Sequence, residues 1–173
     1  MKQFVSHGTG EVDRLLFGGL GENVIFEQGA MVFHPENVLI GNNVYVGHYA
    51  ILKGYYKNRM TIGDNVWIGQ HCLLHSAGGL AIEDNVGIGP GVVITTARHI
   101  DVGHSLPILF SELSMDPVVL KEGCNIGVNS TILSGVTIGR GAQIGAGAVV
   151  VENVPDYAVA SGVPARVQRF RPD

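Results

Sequence analysis

This 173-residue sequence predicts an all-β fold, a parallel β-helix wound from hexapeptide repeats. Three observations carry the prediction. First, an isoleucine or valine followed by glycine restarts on a six-residue spacing. It appears at Ile40-Gly41, Val46-Gly47, Ile62-Gly63, Ile68-Gly69, Ile88-Gly89, Ile126-Gly127, Ile138-Gly139 and Ile144-Gly145. Second, the position four residues after a starter is usually small or aliphatic, as in Val44 and Ala142. Third, a period of six matches neither the 3.6 of an amphipathic helix nor the 2 of a long strand. Short strands joined by tight turns do match, with three hexapeptides to one triangular coil and each coil bonded to the next. Glycine or asparagine near each corner is expected to accept backbone angles that bulkier residues resist.

The elements follow in chain order. Residues 1–21 are expected to form an N-terminal cap, with Thr9 to Phe17 as a short helix or lid over the open first coil. The β-helix is expected over 22–155 in about six coils. The first, less regular, spans about 22–39, and regular coils follow at 40–57, 62–79, 82–99, 120–137 and 138–155. Residues 58–61 shift the phase once, and Leu80 and Ala81 shift it again. The third break is larger: a protruding loop at about 100–119 carries Leu106, Ile108, Leu109 and Phe110, apolar residues that predict packing against a neighbouring subunit. Val154-Pro155 is expected to end the last coil, because proline has no N–H for a further ladder. Residues 156–173 form a C-terminal tail.

Composition narrows the function. A 46% hydrophobic and 15% charged chain suits one folded body, and a net charge of −4 carries no footprint for nucleic acid. Arg166, Arg169 and Arg171 make a local patch suited to one anionic ligand. Cys72 and Cys124 lack Cys-x-x-Cys spacing and fall at interior repeat positions, as buried free thiols of a reducing compartment would. No apolar run reaches membrane-span length and residues 1–20 lack a signal-peptide core, so a cytoplasmic location is expected.

The hexapeptides, with the run Ile144-Gly-Ala-Gly-Ala-Val149 and the ending Ala160-Ser-Gly-Val-Pro-Ala-Arg166, resemble the left-handed β-helix acyltransferases. The nearest branch is similar to the maltose and galactoside O-acetyltransferases and related sugar acetyltransferases, over roughly residues 22–170. The left-handed sense comes from that resemblance, since general crossover rules favour the other hand. The resemblance implies an acetyl-CoA-dependent acyltransferase that moves an acetyl group directly to a hydroxyl of a sugar or polysaccharide precursor. It implies no required metal, and a homotrimer with clefts between subunits. His99, in Thr95-Thr-Ala-Arg-His99 at the root of the loop, matches the general base; a neutral imidazole suits removal of a proton from the attacking hydroxyl. Val128, Ala146 and Val151 match positions that contact coenzyme A through backbone, and Arg166 matches the family's basic residue after Pro-Ala, a guanidinium suiting a cofactor phosphate, with Arg169 as its companion. His71 falls near an acceptor-contacting asparagine of the sugar enzymes, and His104 in the loop is a second candidate for the acceptor.

Other readings stay open at this point. An N-acetyltransferase acting on a nucleotide-linked amino sugar would place its acceptor near the same histidine. A zinc-dependent carbonic anhydrase on the same fold needs three converging histidines. His71 and His75 are four residues apart where that family uses five, and no third histidine is evident. A scaffold that keeps the repeat without the chemistry is the last alternative. His34 and His48 are expected at the surface or at corners, and His7 lies outside the repeat.

Overall fold

The computed structural model describes residues 9–172; His7 and the start of the expected cap lie outside the described residues. The chain is a left-handed parallel β-helix of six complete coils and part of a seventh. Coil 1 uses strands Gly19–Leu20, Val24–Phe26 and Met31–Phe33, and coil 2 uses Val38–Ile40, Val44–Val46 and Ile51–Lys53. Each later complete coil adds one strand to each of three parallel sheets. We call the corner between the first and second sheets the first corner, that between the second and third the second, and that between the third and first the third.

The repeat produces this shape because its starters stack in register. Ile40, Ile62, Ile82, Leu120 and Ile138 line the inside of the first sheet. Val46, Ile68, Ile88, Ile126 and Ile144 line the second, and Leu52, Leu74, Ile94, Ile132 and Val150 the third. All are buried, so the core is a column of aliphatic layers about 4.8 Å apart.

The glycine after each starter has a different reason from the expected one. None of these glycines is in the left-handed region. They are small because the next coil passes close: a Cβ on Gly127 would come within 2.6 Å of the Ala146 amide nitrogen. The left-handed angles fall two residues later. There, Asn43, Asn65 and Asn85 hold the first corner, and Tyr49, His71 and Asn129 the second. Asn23, Asn43, Asn65 and Asn85 form an amide ladder with Nδ2–Oδ1 distances of 2.8, 2.9 and 3.3 Å.

The ends depart from the sequence reading. The first coil starts at Gly19–Leu20, which pairs with Leu39–Ile40, inside the segment expected as cap. The lid itself is a 3-10 turn, Arg14–Leu16, capped by Asp13, and Phe17 packs on Phe26 at 5.5 Å. At the other end Pro155 does not stop the stack. It occupies a corner, where its carbonyl accepts from the Ala158 N–H, and strand Ala158–Gly162 then pairs with Gln143 and Ile144. The tail folds back as Ala165–Phe170, antiparallel to that strand.

Candidate active site

Every departure from a uniform coil lands on one edge of the prism. The stacked partners Leu20, Ile40, Ile62, Ile82, Leu120 and Ile138 are 20, 22, 20, 38 and 18 residues apart. The extra residues of the 22- and 20-residue coils lie at 54–59 and 76–79, both on the third corner. The large insertion leaves from the same corner. It runs from Ala97 to Pro117 rather than 100–119, because its two ends pair as an antiparallel hairpin, Ala97–His99 with Leu113–Met115. Thr96, fully buried, anchors the hairpin's root: its Oγ1 donates to the His75 carbonyl at 2.9 Å and accepts from the Gly78 N–H at 2.9 Å.

His99 ends the outgoing strand of this hairpin, with its ring exposed at one side. Its Nδ1 lies 3.3 Å from the Ser111 carbonyl oxygen. A carbonyl only accepts, so Nδ1 is the donor and the neutral ring keeps its lone pair on Nε2. Nε2 makes no hydrogen bond among the described residues. The hairpin thus presents an imidazole whose free nitrogen is the basic one.

Around it, apolar residues of the insertion stay outside: Ile108, Leu109 and Phe110 are 49%, 53% and 45% exposed. The next strand position along from His99 carries Arg98, which points to the opposite side of the strand. Arg98 lines a pocket of about 280 Å³ with Thr95, Ala97, Leu133, Ser134 and Val151. Sequence reasoning passes over Arg98; its place beside His99 on a strand is the available signal. A larger hollow of about 560 Å³, lined by Asp156, Tyr157, Phe170, Arg171 and Pro172, lies at the C-terminal end, where Arg171 donates to the Gly141 carbonyl at the first corner.

The remaining candidates divide between two edges. Val151 shares the third corner with His99. Val128 and Ala146 sit on the second corner, in successive coils, where the Ala146 amide stacks above Gly127. His71 is on that second corner too, in the left-handed region (φ 56°), stacked on Tyr49 at 5.4 Å and 12°. Arg166 pairs across the tail hairpin with Ser161, which continues the column of Gly145 at the second corner. Its guanidinium meets Glu152 at 3.9 Å, both groups exposed, a pair worth at most about 1 kcal/mol that leaves the arginine available to an anion. Arg169 pairs with Val159 further along the hairpin and donates only weakly to the Phe170 carbonyl, at 3.4 Å. His104 is exposed in the turn Gly103–Ser105. The third sheet separates the His99 and Val151 edge from the His71, Val128 and Ala146 edge, so one chain does not bring the two sets together.

Both cysteines are free and buried. Burial raises the Cys72 thiol, and pushes that of Cys124 up to about 12, so neither is a ready nucleophile. Among the described residues no three His, Cys, Asp or Glu side chains are grouped to hold a metal ion.

Comparison with known proteins agrees with this fold. Residues 117–151 match the family model "Bacterial transferase hexapeptide (six repeats)", and residues 59–96 match "Hexapeptide repeat of succinyl-transferase". A Saccharomyces cerevisiae protein whose name designates it an acetyltransferase is 38% identical over 160 residues, covering 92% of this chain and 69% of that one. Galactoside O-acetyltransferase of Escherichia coli is 31% identical, covering 89% of this chain and 64% of the enzyme. Among solved structures, the N-acyltransferase AntD from Bacillus cereus, in complex with dTDP and 3-hydroxybutyryl-CoA, superposes with a TM-score of 0.81 at 27% identity. That superposition covers 92% of this chain and 86% of AntD. A maltose O-acetyltransferase from Clostridium difficile gives 0.67 at 29% identity, covering 92% and 73%.

Proposed function

The chain belongs to the hexapeptide-repeat acetyltransferase family, and from that premise we propose that it moves an acetyl group from acetyl-CoA to a hydroxyl of a carbohydrate acceptor, with His99 as general base. The observation that carries the reading is the His99 ring, anchored through Nδ1 with Nε2 open. The donor supplies an activated thioester carbonyl. Nε2 takes the proton of the acceptor hydroxyl as its oxygen bonds that carbonyl carbon, and returns it to the thiolate sulfur when the C–S bond breaks. No acyl-enzyme is needed, in keeping with the inert buried thiols.

Val151 on the His99 edge, with Val128 and Ala146 on the opposite one, are the proposed contacts of the pantetheine arm. Val128 is exposed, and an added Cβ on neighbouring Gly147 would meet nothing within 4 Å, so the second corner is open for a thin chain to lie along it; Val151 is exposed on the third corner. Arg166 and Arg169 would meet the phosphates. His71 and His104 would face the acceptor. Since the two edges belong to different corners, a head-to-tail cyclic trimer is the simplest assembly that sets one subunit's third corner against the next subunit's second. An outward stripe of Met31, Ile51, Leu73, Val93 and Val149 on the third sheet, together with the exposed loop apolars, supplies contact surface for it. No helix among the described residues is long and apolar enough to cross a membrane, and the proposed setting is the cytoplasm.

A second reading has its own support. AntD is an N-acyltransferase solved with dTDP, and a dTDP-3-amino-3,6-dideoxy-galactose 3-N-acetyltransferase of Aneurinibacillus thermoaerophilus is 46% identical over 33% of this chain. An amino group of a nucleotide-linked sugar is therefore the alternative acceptor. Thiol release from acetyl-CoA, screened against free sugars and nucleotide-linked amino sugars, separates the two. His99→Ala run beside the native protein should lower kcat about 10²–10⁴-fold with the matched acceptor, and near-native turnover would remove His99 from the mechanism.

A further inference from the structure

Four polar residues are buried among those described: Ser76, Thr96, Ser130 and Ser111. The first three serve the β-helix. Ser76 Oγ donates to the Lys53 carbonyl, Thr96 to that of His75, and Ser130 to those of Gly127 and Gly145. Ser111 stands apart, because it lies in the insertion, where its neighbours Ile108, Leu109 and Phe110 remain outside. A hydroxyl packed at 8% exposure beside three exposed apolar side chains inverts the hydrophobic pattern. Such an inversion requires a polar role for the hydroxyl.

From the hairpin geometry we propose that Ser111 is the positioning residue of His99, fixing its tautomer and ring orientation for proton transfer. The proposal rests on His99 being the base. Ser111 Oγ donates to the Ile108 carbonyl at 2.8 Å, and the Ser111 N–H donates to the same carbonyl at 3.0 Å. With its proton committed there, Oγ faces Nδ1 of His99, at 3.4 Å, only as an acceptor. The Ser111 carbonyl, at 3.3 Å, is an acceptor as well. Two acceptors at Nδ1 exclude the tautomer that carries its proton on Nε2, which would place two lone pairs against a third. Oγ also doubles the bond by which the Ser111 N–H holds the turn, so its loss removes one acceptor at Nδ1 and loosens the turn that carries the other. The short Ile100 N–H to Glu112 carbonyl bond (2.8 Å) holds the hairpin closed independently of the serine. Removing the hydroxyl therefore disturbs the ring without opening the hairpin.

Ser111→Ala, Ser111→Thr and Ser111→Val test this in the full-length protein. Nitrogen NMR of ¹⁵N-histidine-labelled protein, without substrate, reads the His99 tautomer directly. The native ring and Ser111→Thr should show the proton on Nδ1, while Ser111→Ala and Ser111→Val should show a mixture. With the matched acceptor, Ala and Val should lose about ten-fold in kcat with both KM values within about two-fold, and Thr should restore it. If Ser111→Ala does not keep the native circular dichroism, the Thr and Val pair, equal in shape, decides alone. An unchanged tautomer and kcat in the variants lacking the hydroxyl overturns the proposal. Full activity of His99→Ala would instead sink the base assignment, while the tautomer measurement would still decide whether Ser111 sets the ring.

Discussion

At the scale of single residues, burial and partner geometry separate reactive groups from inert ones. Cys124 contacts the stacked core, and burial holds its thiol protonated up to about 12, well above the range of a thiol in water. The native state therefore keeps a proton that the unfolded chain releases. The stabilising contribution is whole below about pH 9 and is lost as pH rises toward about 12, with a limiting slope of about 1.4 kcal/mol per pH unit. Urea unfolding at about pH 7.5 and about pH 10.5, on either side of the unfolded thiol's titration, should show the native protein losing more stability between them than Cys124→Ala does. Equal losses would mean the thiol does not titrate as its burial requires. Arg166 is the opposite case. Its loose pairing with Glu152 leaves it open to phosphate, so Arg166→Ala should raise the KM for acetyl-CoA about ten-fold and leave the acceptor KM nearly unchanged. Steady-state kinetics with each substrate varied in turn would check this, and an unchanged donor KM would count against the assignment.

At the scale of the element, each coil is held by its starters inside and its corners outside. The first corner depends on Asn43, at φ 55°, which accepts from Asn23 and donates to Asn65. Asn43→Ala should cost about 2 kcal/mol, from the left-handed backbone and two lost amide bonds. Asn43→Gly restores the angle but not the bonds and should cost less, so the order of melting temperatures checks the argument. The coil count and the inward columns are legible in the sequence because the hexapeptide period projects directly onto stacked positions such as Ile62, Ile68 and Leu74. The glycine rationale is not, since the close pass of Ala146 over Gly127 is a contact between coils 18 residues apart. The tail beyond Pro155 escapes the sequence for a similar reason: Val159 and Ala160 find their partners in Gln143 and Ile144, and nothing local announces that pairing. His99 is legible from its place at the root of the break. Ser111 is not, because only the folded hairpin brings it back to the ring twelve residues away.

At the scale of the whole molecule, the decisive fact is that the candidate residues occupy two different corners. His99 and Val151 stand on the third, and Val128, Ala146 and His71 on the second, with a full sheet between. A two-fold dimer would set like edges together, whereas a closed head-to-tail ring sets unlike edges together at every interface. In that ring each site takes its base from one subunit and part of its donor groove from the next. Damage to the two edges should therefore complement. His99→Ala removes the base, and Ala146→Trp blocks the groove on the other edge, where Ala146 packs its amide over Gly127. Each variant alone should assemble and be inactive. In co-expressed mixtures of equal amounts, a site is intact when its third-corner edge comes from the Ala146→Trp chain and its second-corner edge from the His99→Ala chain. Random mixing makes about a quarter of all sites intact in this way. Acetyl-CoA turnover near that fraction of the native rate, from particles that light scattering shows to be trimers, is the expected result. Mixtures as inactive as their parents would place His99 and Ala146 of one chain in the same site, which the intervening third sheet opposes, and would overturn the shared-site assembly.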